Sequence, residues 1–389
     1  MLKRTPIALL NLIHDKLRFI ISLGVIGFAV FLMFMQMGFR NALLDSNVEF
    51  IRKLDADLII VSKKRYASFI EQTFDINRLY QAQGFSGVYS ANPFYIGTSI
   101  LKNKNNFSER PIRVFAYNLD DSVFNIEKID ILENKLSKSN NLLLDIKSRV
   151  EYGIFNTQEN VELGNHKFRV AGFFELGTDF IADGNLIVND QTFLKVFKGI
   201  PAGIEANIRN SLSEVDIGLI KLNNRVQAND YVKILSRNLP QDVDIFTKKS
   251  FIKRDLNYWL NATPIGFMFV LGTIVGFVVG AIVLYNILYT DIDDNLGQYA
   301  TLKAIGYPNH RLVSIVVQEA LILATLGYLP GYITSFIFYN FVADSTGIQM
   351  RLTLSLALLI MSLTLLMSII SGLFAVRRLR SCDPAEIFS

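Results

Sequence analysis

Four long stretches with almost no charge dominate the chain and leave it few ways to fold. Phe19 to Phe39 lies between Arg18 and Arg40 and holds no ionisable residue. Leu256 to Thr290 and Leu352 to Val376 hold no charged residue, and Leu312 to Ala343 holds only Glu319. A bilayer core about 30 Å thick is crossed by roughly 20 apolar helical residues. Each stretch is long enough for that and too long for a buried strand. The expected spans are 19–39, 262–290, 312–341 and 352–376. A mean hydropathy of +0.31 over 389 residues agrees. The first span reads as a retained anchor rather than a signal peptide: its apolar run exceeds a signal core of about 7–15 residues, and Gln36 to Arg40 offers no small-residue cleavage site.

Orientation follows from the basic residues in the short flanks. Lys3, Arg4, Lys16 and Arg18 precede the first span, Lys303 and Arg311 lie between the second and third, and Arg377, Arg378 and Arg380 follow the fourth. Both termini are therefore expected in the cytoplasm, as residues 1–18 and 377–389. Residues 40–255 are then extracytoplasmic, since long translocated domains largely escape the rule. A formal charge of +4 leaves no nucleic-acid footprint. The single cysteine, Cys382, cannot staple an exported domain, and His14, His166 and His310 lack metal-site spacing.

The outer segment reads as α+β. Leu43, Leu44, Val48 and Ile51 continue the first span as a helical stalk. Strands are expected at 56–61, 87–90, 95–102 and 110–117, helices at 75–82 and 229–238, and further strands at 215–220 and 243–246. A β-rich insert over about 120–205 contributes strands at 141–145 and 186–188 and a hairpin turning at Gly164-Asn165-His166. A second stalk helix over 248–261 returns to the membrane. Asp120-Asp121 fits a solvated turn better than a paired-carboxylate site, and no nucleophile triad or metal cluster stands out.

Between spans two and three, Ile292, Leu296, Tyr299 and Leu302 form one apolar helical stripe. Acidic residues crowd its start, Lys303 lies near its end, and Gly306 with Pro308 makes a stop. The loop has too few basic residues to lie on anionic lipid, so a groove on a cytoplasmic partner is the better fit.

Here the sequence resembles a known family. One span, a large outer domain and three more spans, the segment Gly297-Gln298-Tyr299-Ala300-Thr301-Leu302-Lys303-Ala304-Ile305-Gly306-Tyr307, and the closing Asp383-Pro384-Ala385-Glu386-Ile387 are similar to the MacB/FtsX superfamily of ABC permeases. Tyr258-Trp259, Thr263-Pro264-Ile265-Gly266 and Tyr299 to Ala304 resemble its DevC-type permeases of cyanobacteria. The implied fold is an α-helical membrane protein with four transmembrane helices and a large extracytoplasmic α+β domain. The implied role is the permease of an ABC exporter in the inner membrane: a homodimer working with an ABC ATPase subunit, a membrane-fusion adaptor and a TolC-like outer-membrane channel, and exporting a lipid-like cargo such as a glycolipid. The implied ATPase-coupling helix includes Asp294, Leu296, Gly297, Ala300, Thr301, Lys303, Ala304 and Gly306. Where the superfamily often has Glu-Ile-Gly, this chain has Asn295-Leu296-Gly297, so its docking contacts can differ. No Gly-x4-Gly-Lys-Ser/Thr occurs, so ATP is expected on the partner, with no cofactor and no catalysis on this chain. A different role within the superfamily, activating an envelope hydrolase as cell-division relatives do, remains the alternative.

Three further features carry open readings. Gly272, Gly276 and Gly280 form a small-residue row that suits a dimer seam or packing within one subunit. Pro264, Pro330 and Gly331 are hinge candidates, or simply bends. Glu319 is an intramembrane carboxylate, either functional or pairing near the inner surface about 12 Å from Arg311.

Overall fold

The computed structural model describes residues 7–102, 109–127, 129–138, 140–153, 155–164, 166–198, 209–346 and 348–380. The closing motif at Asp383–Ile387 and Asn165 lie outside them. The chain divides into a helical unit (residues 1–41, 264–342 and 350–389) and an α/β unit (residues 42–263 and 343–349).

The helical unit opens with α1 (Ile7–His14). Asp15 then caps α2 (Lys16–Lys53), its carboxylate accepting from the Arg18 N–H at 3.1 Å. The charged flank thus contains a helix of its own that periodicity did not reveal. The last turns of α2, from Ala42, belong to the α/β unit.

That unit continues in chain order with β1 (Leu58–Ser62), β2 (Phe74–Asp75), α3 (Asn77–Gln83), β3 (Val88–Lys102) and β4 (Glu109–Tyr117). Next come α4 (Ile129–Leu136), β5 (Asn141–Asp145), β6 (Asn160–Leu163), β7 (His166–Phe174), β8 (Asn185–Asn189) and α5 (Asp190–Phe197). It ends with β9 (Glu214–Val215), β10 (Ile217–Leu222), α6 (Ala228–Asn238), β11 (Val243–Thr247) and α7 (Lys248–Asn261).

Nine strands form one sheet in the order β11-β1-β10-β3-β4-β8-β5-β7-β6, and β2 pairs with β9 apart from it. The strands from the β-rich insert are therefore part of the main sheet and not a separate layer. A second pairing, Leu101 with Leu163 and Lys102 with Glu162, joins β3 to β6, so the six strands from β3 to β6 close on themselves. Closure removes two sheet edges that would otherwise be open to pairing.

Alternate side chains feed two cores. Leu58 and Ile60 of β1, Val114 and Ala116 of β4, and Leu186 and Val188 of β8 pack with Leu79 of α3, Phe193 of α5 and Leu235 of α6. Ile59, Phe115 and Ile187 face the other way, onto Val48 and Ile51 of α2, Phe124, and Phe251 of α7. Burial on both faces explains why β1, Leu-Ile-Ile-Val-Ser, is apolar without alternation.

Strand β3 is continuous where the sequence suggests two pieces divided near Asn92-Pro93. Its first half pairs with β10 up to Phe94, and its second half pairs with β4 from Phe94 onward. Pro93 falls just before the partners change, where one flank has no ladder; a proline without an N–H is tolerated there.

The remaining helices are α8 (Pro264–Asp294), α9 (Leu296–Ala304), α10 (Asn309–Thr346) and α11 (Leu354–Arg380). Among the described residues four helices are long and apolar enough to cross a membrane: α2, α8, α10 and α11.

Candidate functional site

The site of interest is the end of the helical unit that carries α9. Helix α8 stops at Asp294; Asn295 turns the chain, its side-chain amide donating to the Asp291 carbonyl at 2.9 Å. Helix α9 follows at once and ends in a full Schellman motif. The Gly306 N–H donates to the Lys303 carbonyl and the Tyr307 N–H to the Leu302 carbonyl, both at 3.0 Å. Gly306 takes φ +101°, a conformation that side chains resist. Gly306→Val is expected to cost at least about 1 kcal/mol locally. It should appear as roughly tenfold faster amide exchange at Tyr307, whose N–H closes the motif.

The two faces of α9 differ. Tyr299 and Ala300 are buried in the subunit, at 3% and 1% exposure, with Ile292 of α8 behind them. Leu296, Leu302 and Lys303 are half-buried. Gly297, Gln298, Thr301, Ala304, Ile305 and Gly306 are exposed, Ile305 at 73%. The Thr301 hydroxyl donates to the Gly297 carbonyl at 2.8 Å. That satisfies its polar group within the helix and leaves the outer face small and apolar. The apolar stripe expected to meet a partner therefore packs inward. Ala300 holds the helix to its own bundle, and the outward surface is the opposite row of Gly297, Thr301, Ala304 and Ile305. This row also has helical spacing, but its small residues looked like filler beside the larger stripe. Asp294 is engaged too: the Arg18 guanidinium donates to it at 2.5 Å, a partly exposed pair of modest strength.

Beneath α9 lies a polar cluster around Glu319, whose partners the sequence did not reveal. Glu319 of α10 has no exposed surface and accepts a hydrogen bond from the Asn11 amide of α1 at 3.0 Å. It does not reach out towards Arg311, the alternative that spacing along α10 suggested. Glu319 Oε2, the Tyr299 hydroxyl and Asp291 Oδ2 are buried without a well-formed hydrogen bond. Burial pushes the Tyr299 phenol up, and the adjacent Glu319 and Asp291 carboxylates push it the same way. A cavity of about 370 Å³ adjoins the cluster, lined among others by Asn11, His14, Arg18, Asp291 and Gln298. Among the described residues no group of three or more His, Cys, Asp or Glu side chains could hold a metal ion.

The glycine row lies inside the subunit. A methyl added at Gly276 comes within 3.2 Å of Met33, and one at Gly280 within 3.0 Å of Ala29; Gly272 faces Gln36. Gly272 and Gly276 face α2, and Gly280 fits between Ala29 of α2 and Met367 of α11. Pro264 is the first residue of α8, where a proline fits without cost. Helix α10 runs through Pro330 unbroken. A second close approach sits there: a methyl at Gly331 would lie 2.6 Å from the Gly27 carbonyl oxygen, and Gly327 faces Ile26. Gly331→Leu must push the helices apart and is expected to cost about 1–3 kcal/mol, read as a fall in the thermal transition of the detergent-solubilised chain.

With this geometry in view, residues 262–384 match the FtsX-like permease C-terminal family. Two curated relatives, the macrolide export ATP-binding/permease proteins MacB of two Campylobacter jejuni strains, are each 23% identical over 295 residues. The alignment covers 73% of this chain and 43% of each relative, so the chain spans less than half their length. Solved structures similar to it include the periplasmic region of MacB from Actinobacillus actinomycetemcomitans, with 15% identity over 52% of this chain and 94% of that one at a TM-score of 0.34. The extracellular domain of the ABC-type transporter YknZ from Gram-positive bacteria is another, with 11% identity over 49% and 99% at 0.33. Residues 262–384 thus carry the FtsX-like permease C-terminal region, and the chain is similar to MacB over the 295 aligned residues.

Proposed function

We propose that this chain is the membrane subunit of a bacterial exporter that takes its motion from a separate ABC ATPase subunit through the exposed row of α9. The observation that carries the proposal is that row: a short helix, locked to its own bundle on one face, presents Gly297, Thr301, Ala304 and Ile305 on the other. A smooth apolar helix face suits a groove on a partner. In this reading both termini and α9 are cytoplasmic, the α/β unit is periplasmic, and the subunit works as a homodimer in the inner membrane.

Motion passes along the chain itself. Helix α2 runs unbroken through Lys53, and only Ala262 and Thr263 separate α7 from α8. The spans offer little to line a path for cargo. The hydroxyls of Ser335, Thr364 and Ser368 donate to carbonyls one turn back in their own helices, at 2.7, 2.8 and 2.6 Å. Transmission to the α/β unit is therefore favoured over passage between the helices. An adaptor and a TolC-like channel would complete the route, and the DevC-type resemblance points to a lipid-like cargo such as a glycolipid.

Two measurements test the reading. Chain purified from solubilised membranes should bring an ABC ATPase subunit with it; recovery without one counts against the proposal. Cysteines introduced at Tyr80 and Tyr89, both exposed in the α/β unit, should react with an impermeant maleimide once the outer membrane is opened. A cysteine at Thr301 should react only after the inner membrane is breached, and the reverse pattern overturns the topology.

A further inference from the structure

We propose that the segment joining β1 to β2, residues 63–73, forms a lipid-contacting surface with the end of α7, in which Tyr66 and Phe69 stand in the headgroup layer of the bilayer beside Tyr258 and Trp259. This surface does not depend on the ATPase coupling proposed above, nor on which side of the membrane the α/β unit occupies.

Helix α7 changes character along its length. Its first part holds Lys248, Lys249, Lys253, Arg254 and Asp255, and no charged residue follows until Asp291. That uncharged run is about 35 residues, whereas a hydrocarbon core needs roughly 20. It therefore reaches past the span into the last turns of α7. Trp259 stands five residues before Pro264, where α8 begins. Chain length alone keeps it within about 18 Å of that end of the span. Aromatic side chains with a polar edge concentrate at this depth. Tyr285 and Tyr289, with ring centroids 5.8 Å apart, lie near the other end of α8. About 30 residues separate Trp259 from Tyr289, roughly 45 Å at the helical rise, and a bilayer with its headgroups is about 40–45 Å thick.

The loop after β1 is built onto this end of α7. The rings of Tyr66 and Phe69 each lie 5.5 Å from that of Tyr258, centroid to centroid, and Phe69 lies 5.2 Å from Trp259. None of the four belongs to either core of the α/β unit. Polar contacts hold the loop in place. The Ser68 N–H donates to Asp255 of α7 at 2.8 Å, and the buried Arg65 guanidinium donates to the Ser68 and Gln72 carbonyls at 2.7 and 2.9 Å. Yet the Tyr66 ring is 56% exposed, and Lys63 and Lys64 are exposed beside it in the chain. A phenol ring flanked by ammonium groups fits the headgroup layer on both counts. The ring leaves water while its hydroxyl stays at a polar boundary, and the lysines meet lipid phosphates.

The test places a nitroxide on Tyr66→Cys and, separately, on Tyr89→Cys, each in the full-length chain carrying Cys382→Ser and held in nanodiscs of phosphatidylcholine with phosphatidylglycerol. Tyr89 is exposed as well, at 71%, and lies outside the cluster. Oxygen concentrates in lipid and a nickel chelate in water. The ratio of oxygen to nickel collisions at position 66 is expected to be at least about threefold that at position 89. Equal ratios overturn the proposal. So does a label at 66 shielded from both relaxants, because protein then covers the loop. A second measurement needs no substitution. Trp259 is the single tryptophan, so the emission of the wild-type chain reports this end of α7 alone. Lipids carrying a nitroxide on the headgroup should quench it at least about twofold more than lipids labelled near the terminal methyl. The opposite order, or no quenching by either, overturns the proposal even if the cysteine variants fail to fold.

Discussion

Ile305→Asp combined with Thr301→Asp leaves the chain inserted and folded but unable to hold its ATPase subunit. Ile305 exposes 73% of its surface in the subunit, so an aspartate there loses nothing within the fold. In a partner's groove the same side chain would be buried. Losing a buried isoleucine forfeits about 1.5–3 kcal/mol, and a carboxylate placed against an apolar wall adds a desolvation penalty. Association should weaken at least about 100-fold, which copurification and ATPase titration both detect. Ala300→Asp is the contrasting variant. Ala300 is buried within the subunit, so a charge there damages the bundle and lowers extraction yield and thermal stability as well. If the Ile305–Thr301 variant binds the ATPase normally, the outer row of α9 is not the docking surface.

The contrast also separates what the sequence could reveal from what it could not. A span is a one-dimensional signal: 20 uncharged residues are enough, whatever they touch. The stop after α9 was similarly local, because Gly306 and Pro308 encode it within a few residues. Which face of α9 points inward is not local. Periodicity finds an apolar stripe, but both a bundle and a partner's groove select for one, and only the positions of α1, α8 and α10 decide between them. The Gly272–Gly276–Gly280 row has the same ambiguity, resolved by Met33 and Ala29 of α2. The expected gap between strands at 87–90 and 95–102 is absent, because β3 changes partners at Phe94 and Pro93 lacks an N–H only where one flank carries no ladder. Asn11 and Glu319 stand 308 residues apart, and nothing in either neighbourhood marks the other.

The α/β unit has its own buried network of this long-range kind, and Asp216→Ala should be its most damaging single change. Asp216 is fully buried, and its Oδ1 accepts from Arg65 at 2.5 Å and from Arg209 at 2.6 Å. Its Oδ2 accepts from the Ile96 N–H at 3.1 Å. Two further donors of Arg65 go to the Gln72 and Ser68 carbonyls. The Ser68 N–H donates to Asp255 of α7 at 2.8 Å, and the Ser68 hydroxyl donates to the same carboxylate. Burial already pulls the Arg65 guanidinium down from its ordinary value, and the nearby Arg209 charge adds to that; Asp216 is the main opposing charge. Alanine at 216 leaves two buried guanidinium groups without their anion, which costs about 3–5 kcal/mol. Asp255→Ala strands the N–H and hydroxyl of Ser68 and removes an anion beside the part-buried Arg254, but breaks no buried ion pair, and should cost about 1–3 kcal/mol. Asp230→Ala breaks an exposed pair with Lys233 at 4.0 Å and should cost under about 0.5 kcal/mol. Denaturant unfolding of the full-length chain in detergent, followed by protease sensitivity of the α/β unit, ranks the three. Because the network ties the segment after β1 to α7, the helix that leads into α8, Asp216→Ala should also make Lys253 and Arg254 early cleavage sites. An order with Asp255→Ala or Asp230→Ala above Asp216→Ala would mean that the paired guanidinium groups are solvated well enough without their carboxylate.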